Sequence, residues 1–94
     1  MYVADVQPPP HPGEVLQEWL SGITTTQAAA SLGVTRVHLS RILHGHVGVT
    51  ADMALRLGQA LNTSAEMWLG LQLGYDLWQA QQRPMPEVES LVAR

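Results

Sequence analysis

The sequence predicts an all-α fold of five short helices in one domain. Its 94 residues are enough for one compact core and too few for two. Hydrophobic residues make up 46% of the chain but aromatic residues only 5%, with no phenylalanine, so the core must be mainly aliphatic. Apolar residues recur at helical spacing, and N-cap residues, glycines or prolines separate the repeats. Together these observations favour packed helices.

An extended lead-in over residues 1–10 is predicted ahead of the folded domain, which spans residues 11–82. Four of the six prolines lie between Gln7 and Pro12. Proline fixes φ and lacks an N–H group, so no helix can begin before the last of them, although Pro12 itself suits a first helical turn. His11, among these prolines, is expected to be exposed. A first helix is predicted over residues 12–21, with an apolar repeat formed by Val15, Leu16, Trp19 and Leu20.

Two short helices joined by a tight turn are predicted next. Threonines precede an alanine-rich run that predicts a helix over residues 27–32, and Gly33 ends it. Thr35 then caps a helix over residues 36–44. Three small alanines let a second helix approach closely, the glycine permits a left-handed turn, and Val34 fills the angle between the helices. This pattern is typical of a helix-turn-helix unit, whose second helix enters the major groove of DNA.

Two further helices are predicted over residues 51–61 and 65–82, with Thr50 and Ser64 as N-caps. The last one carries apolar residues on more than one face. A helix of this kind in so small a chain needs a second partner, so we expect a dimer interface there. We assign that interface to Trp68, Leu71, Gln72, Tyr75, Leu77 and Trp78. Pro84 and Pro86 break the helix and predict a C-terminal tail over residues 83–94.

Charge is distributed unevenly along the chain. The net charge of −3 argues against a nonspecific nucleic-acid coat, because neutralising phosphates supplies most of that affinity. No acidic residue lies between Trp19 and Ala51, whereas two arginines and three histidines do. We interpret this locally basic centre as the electrostatic footprint of a DNA contact.

The third helix supplies most candidate DNA contacts. Its apolar stripe of Leu39, Ile42 and Leu43 faces the core, which leaves the opposite face for DNA. An arginine in the first turn can pair two N–H groups with guanine O6 and N7, and helix N-termini suit phosphates. The same pattern also fits two helices of an ordinary bundle with a solvated basic face. The candidate DNA-binding residues are Thr26, Gln27, Thr35, Arg36, Val37, His38, Ser40 and Arg41.

Other functional classes find little support in the sequence. The carboxylates lie at helix starts, where capping explains them, and no nucleophile signature is present, so we expect no catalytic residue and no enzyme. His38, His44 and His46 have no carboxylate or cysteine nearby in sequence to complete a metal site, and no cofactor is expected. No apolar run reaches a membrane span and the N-terminus has no signal-peptide pattern. The absence of cysteine fits a cytoplasmic location.

Several stretches carry a family resemblance. They are residues 11–16 (HPGEVL), 26–34 (TQAAASLGV), 39–45 (LSRILHG), 48–57 (GVTADMALRL) and 68–77 (WLGLQLGYDL). The second and third resemble the helix-turn-helix of phage repressors. All five together resemble the HigA antitoxins, also called the VapI group. This resemblance implies a five-helix, lambda-repressor-like DNA-binding domain.

The resemblance also implies partners. A HigA-type antitoxin dimerises through its C-terminal helices, binds a palindromic operator in its own promoter, and neutralises a HigB-type endoribonuclease toxin. Two alternatives share the fold: a solitary transcriptional regulator without a toxin, and a protein-interaction module without DNA binding. The lead-in over residues 3–12 and the tail from Pro84 are both candidates for the toxin-binding segment, because extended segments can become ordered on a partner.

Overall fold

A computed structural model describes residues 7–93 of the chain, and the predicted five-helix, all-α architecture is confirmed over this range. The helices are α1 (Pro12–Trp19), α2 (Thr25–Leu32), α3 (Arg36–Leu43), α4 (Ala51–Leu61) and α5 (Ala65–Gln81). No strand occurs between residues 7 and 93. Of the predicted lead-in, residues 1–6 lie outside the described residues, and residues 7–10 form neither helix nor strand.

Side-chain caps determine where the helices begin. Helix α2 starts two residues before its predicted position because Thr24 is the N-cap. The Thr24 hydroxyl accepts a hydrogen bond from the Gln27 N–H at 3.1 Å, and the Gln27 side-chain oxygen accepts one from the Thr24 N–H at 3.2 Å. This reciprocal capping box satisfies two N–H groups that a helix start otherwise leaves unpaired. Helix α1 ends at Trp19, two residues before its predicted end, and α3 and α5 each end one residue earlier than predicted.

The core is mainly aliphatic and draws on all five helices. Its members are Leu16, Leu20, Ala28, Ala29, Leu32, Leu39, Ile42, Val49, Met53, Ala54, Leu57 and Trp68. The largest of them, Trp68, is completely buried and its indole N–H donates to the Thr63 hydroxyl at 2.8 Å. Trp19, placed in the apolar repeat of the first helix, is instead 45% exposed. The small alanines of α2 allow this helix to pack closely on its neighbours.

The expectation that His11 is exposed is wrong. Only 6% of this residue is accessible. Its Nδ1 accepts a hydrogen bond from the Gly13 N–H at 2.9 Å, so His11 is the N-cap of α1. Its ring also meets the ring of Tyr75 edge to face, with 4.9 Å between centroids. The start of α1 is therefore fixed to α5, far away in sequence.

Beyond α5, residues 82–93 form no helix or strand, and their side chains are exposed. Four large apolar side chains of this tail lie in solvent, namely Met85, Val88, Leu91 and Val92. None of the helices in the described part of the chain is long and apolar enough to cross a membrane.

Helix α1 crosses α3 at Gly13, where the two backbones approach closely. A Cβ atom at position 13 would overlap the backbone carbonyl oxygen of Ile42. We therefore expect Gly13→Ala to lower the free energy of unfolding by about 1–3 kcal/mol or more, since the rigid backbone of α3 must move aside. Urea unfolding followed by circular dichroism measures this. Glu18→Ala, on the exposed side of α1, serves as the control and should change stability by less than about 0.5 kcal/mol. Equal stability of the two variants would contradict the close approach.

Candidate nucleic-acid interface

The turn between α2 and α3 has the geometry of a helix-turn-helix. Gly33 is left-handed, with φ 71° and ψ 33°, and caps the end of α2. The Val34 N–H donates back to the Ala29 carbonyl at 3.0 Å, and Val34 packs against the core. Thr35 then begins α3 by accepting a hydrogen bond from the His38 N–H at 3.0 Å. The turn thus directs α3 across α2 within three residues.

A side chain from α4 braces this turn. Arg56 Nη1 donates to the carbonyl oxygens of Leu32, at 2.8 Å, and Gly33, at 3.2 Å. Its Nε is paired with Asp52 at 2.8 Å. These carbonyls lie at the end of α2, where backbone acceptors lack helical partners. The sequence pattern shows only the Asp52–Arg56 spacing of a helix pair and does not indicate this bracing role.

Helix α3 turns its candidate DNA contacts away from the core. Leu39 and Ile42 are completely buried, which fixes the rotation of the helix about its axis. Of the candidates on the other side, Arg36, Val37, His38 and Arg41 are exposed, Val37 to 67%. Ser40 is only half-buried and lies against His44, with 3.4 Å between the Ser40 hydroxyl and Nδ1 of the histidine. Four of the five α3 candidates beyond its N-cap are thus exposed on the side of the helix that faces away from the core.

The remaining candidates lie at the two helix starts. Thr26 and Gln27 are exposed in the first turn of α2, where the helix presents N–H groups without helical partners. The Gln27 side-chain oxygen is used in the capping box, which leaves its amide N–H groups for another acceptor. Thr35 is exposed, and its hydroxyl accepts the hydrogen bond from the His38 N–H that caps α3. Its side chain is therefore a structural cap as well as a candidate phosphate contact.

The electrostatic character of this face is positive. Within residues 7–93 the only ion pair joins Arg56 and Asp52, so the guanidinium groups of Arg36 and Arg41 are not neutralised by a carboxylate there. The acid-free stretch identified in the sequence includes all of α2 and α3. Positive potential and unpaired helix N–H groups together form a surface that suits phosphate and the base edges of a major groove.

The histidines of this region do not converge with other metal-ligating groups. The rings of His44 and His46 stack, with centroids 6.3 Å apart. Among residues 7–93, no group of three or more His, Cys, Asp or Glu side chains could hold a metal ion. His44 Nδ1 instead lies 2.8 Å from the Ser40 carbonyl oxygen, at the end of α3.

Helix α5 exposes a different face from the one assigned to the dimer interface. The assignment of Trp68 is wrong, because this side chain is completely buried in its own protomer. Gln72 and Tyr75 also contact their own protomer, at Val49 and His11 respectively. Leu71 and Trp78 are half-buried, and of the predicted residues only Leu77 is exposed.

A leucine stripe, defined here as Leu69, Leu73 and Leu77, runs along the exposed side of α5. These side chains are 37%, 60% and 53% exposed. They recur at every fourth position and therefore share one face of the helix. Sequence reasoning missed Leu69 and Leu73 because the apolar residues of α5 surround most of the helix, and their number does not reveal which side packs inward.

Known proteins match this chain over most of its length. Residues 16–68 match the helix-turn-helix family model HTH_3. Virulence-associated protein A' of Dichelobacter nodosus is 43% identical over 86 residues, which cover 88% of this chain and 75% of the relative. Antitoxin HigA-1 of Vibrio cholerae serotype O1 is 38% identical over 80 residues, which cover 82% of this chain and 75% of the relative.

Solved structures of two antitoxins with DNA are also similar. Antitoxin GraA in complex with its operator matches with a TM-score of 0.82 and 38% identity, over 98% of this chain and all of that one (100%). Pseudomonas aeruginosa antitoxin HigA with the higBA promoter matches with a TM-score of 0.76 and 39% identity, over 79% of this chain and 84% of that one.

Proposed function

The chain belongs to the helix-turn-helix family and, within it, to the HigA antitoxin group, and from that premise we propose that it binds operator DNA in its own promoter. The observation that carries this proposal is the exposed face of α3, where two arginines without carboxylate partners among the described residues stand in an acid-free stretch. GraA and the P. aeruginosa HigA, both similar in structure, were solved with operator or promoter DNA. The protein acts as a regulator and not as an enzyme, and its site of action is the cytoplasm.

Recognition would proceed through the first turn of α3. Arg36 would donate two hydrogen bonds to guanine O6 and N7, and Val37 would contact a thymine methyl group. Arg41, one turn further along, reaches a base or a phosphate. The N–H groups at the start of α2, near Thr26 and Gln27, would bind a backbone phosphate and set the register of the protein on the duplex.

The arginines provide the first test. We expect Arg36→Ala to weaken binding to a fluorescent duplex from the protein's own upstream region by about ten- to a hundredfold, because a bidentate base contact is lost. Arg41→Ala should also weaken binding. Arg83→Ala, which removes the same charge from the exposed tail just after α5, is the matched control and should bind nearly as the wild type does. Fluorescence anisotropy at two salt concentrations measures all four proteins.

Two outcomes would contradict this proposal. Full affinity in Arg36→Ala would remove Arg36 as a base reader. Failure of the folded wild-type protein to bind at low salt would favour the protein-interaction module without DNA binding. Genuine operator binding weakens steeply as salt rises, because phosphate contacts release counterions.

The same proposal includes a homodimer that pairs two copies through the leucine stripe. Besides exposed leucines, this side of α5 carries Gly70 and Gly74, where a Cβ would meet nothing within 4 Å. A glycine inside a helix costs about 1 kcal/mol relative to alanine. Since no neighbour in the protomer would obstruct a side chain at either position, packing within the protomer does not explain these two glycines. Glycines beside leucines allow a second helix to approach closely. A two-fold dimer would present its two α3 helices to the half-sites of a palindrome, about 34 Å apart.

Leu73 is the residue that best tests this interface. We expect Leu73→Glu to convert the dimer to a monomer in analytical ultracentrifugation and to weaken operator binding, because a carboxylate would be buried between the helices. Leu55→Glu is the control: Leu55, on α4, is 60% exposed, as Leu73 is, and its substitution should leave the dimer intact. A dimeric Leu73→Glu variant would locate the interface elsewhere.

Neutralisation of a HigB-type toxin is the second part of the proposed function. It is supported by the relatives named as antitoxins and would distinguish this protein from a solitary regulator. We expect a small basic protein encoded beside this gene to arrest bacterial growth when expressed alone and to be harmless when co-expressed with this chain. Growth arrest that persists on co-expression would favour the solitary regulator.

A further inference from the structure

The loop between α3 and α4, residues 44–50, is held from two sides. On the α3 side, the N–H groups of His46 and Val47 donate to the Arg41 carbonyl at 2.8 and 3.3 Å. On the α5 side, the Val49 N–H donates to the side-chain oxygen of Gln72 at 2.7 Å. Position 49 is 4% exposed, so this N–H has little access to water as an alternative partner. The loop therefore connects α5 to the end of the recognition helix.

Gln72 is itself held in one orientation. Its amide nitrogen donates to Asp76 Oδ1 at 2.9 Å, one turn further along α5. Because the nitrogen faces a carboxylate and the oxygen faces an N–H group, both contacts require the same orientation of the amide. The amide also lies flat against Gly48, where a Cβ would come within 2.9 Å of its carbon, nitrogen and oxygen.

A second contact from α5 reaches the other end of the loop. The ring of Tyr75 packs against the ring of His11, and the His11 ring in turn lies 3.8 Å from where a Cβ of Gly45 would be. Gln72 of α5 thus binds one end of the loop, and His11, which Tyr75 of α5 contacts, lies beside the other. The leucine stripe belongs to the same helix and remains exposed.

We propose that Gln72, oriented by Asp76, is a positioning residue for operator recognition, an inference that rests on the proposed DNA-binding function. Gln72 acts on DNA only through the backbone: it fixes Val49, the loop fixes the carbonyl of Arg41, and the end of α3 is thereby set relative to α5. This role replaces the dimer contact expected for Gln72 from the sequence. In a dimer built on α5, the two recognition helices are then positioned relative to the helices that join the subunits.

The first test compares the same substitution at two glutamines of α5. Gln72→Leu removes both side-chain hydrogen bonds and keeps a side chain of similar size. We expect it to weaken operator binding about tenfold, which lies in the upper part of the range of coupling energies for residues that act through a network. It should remain a dimer. Gln81→Leu, at the exposed end of α5, is the matched control and should bind as the wild type does. Affinities are compared at a temperature at which circular dichroism shows each variant fully folded.

The second test exchanges donor and acceptor within the pair. In Gln72→Glu the Val49 N–H keeps an acceptor, but a second carboxylate is placed against Asp76, and operator binding should weaken. Adding Asp76→Asn restores an N–H donor to the pair, so the double variant should recover affinity to within about threefold of the wild type, which a double-mutant cycle quantifies. Amide hydrogen exchange at Val49 should speed up in Gln72→Leu and return to the wild-type rate in the double variant.

The outcomes separate this inference from the proposed function. Failure of the wild-type protein to bind its upstream DNA overturns both. Normal binding by the wild type and by Gln72→Leu overturns only the positioning role. Dissociation of the Gln72→Leu dimer would also overturn the positioning role, because it would show that Gln72 contributes to the subunit interface. An affinity loss in Gln72→Glu that Asp76→Asn does not reverse also contradicts the pair.

Discussion

The structure depends on the complete burial of Leu39 and Ile42 on one side of α3. Two buried side chains three positions apart fix the rotation of a helix about its axis, so the opposite side must carry Arg36 and Arg41 into solvent. Helix α1 supports this placement from two points. Gly13 lets its backbone meet the Ile42 carbonyl, and Gln17 donates its side-chain amide to the Leu43 carbonyl at 2.7 Å. The basic surface is therefore a consequence of core packing.

The exposed face of α2 and α3 carries few positive charges, so binding to DNA there would depend on the accurate placement of each donor group. The chain contains five basic side chains of the lysine and arginine type, all arginine, and Arg56 is committed to Asp52 and to the turn carbonyls. With few cations, the proposed phosphate binding would depend on helix N–H groups, whose direction is set by the caps at Thr24 and Thr35. An acidic protein can bind DNA specifically when its carboxylates are kept outside the contact face, and here they lie outside α2 and α3.

What could be predicted from the sequence depended on local interactions. Thr35 and Gly33 could be read correctly because a cap or a left-handed turn involves neighbours within four residues. The roles of His11, Arg56 and Gln72 could not, because each also has a partner 23 or more positions away, and nothing in the local pattern identifies that distant partner. The inward face of α5 was assigned wrongly for a related reason. Apolar residues surround that helix, and only packing shows that Trp68 is core.

The distant contacts of His11 and Gln72 share one feature that bears on function. From α5, Gln72 accepts a hydrogen bond from the backbone of the loop after α3 and lies against Gly48. His11, in contact with Tyr75 of α5, lies beside Gly45 of the same loop. Side chains that contact DNA can adjust their own rotamers, but a recognition helix can be displaced only if its backbone anchors move. Since these anchors converge on α5, a change in the packing of α5 against a second copy would reach the DNA surface through backbone hydrogen bonds. In a dimer built on α5, the arrangement of the subunits and the placement of the two α3 helices on an operator would then both depend on this one helix.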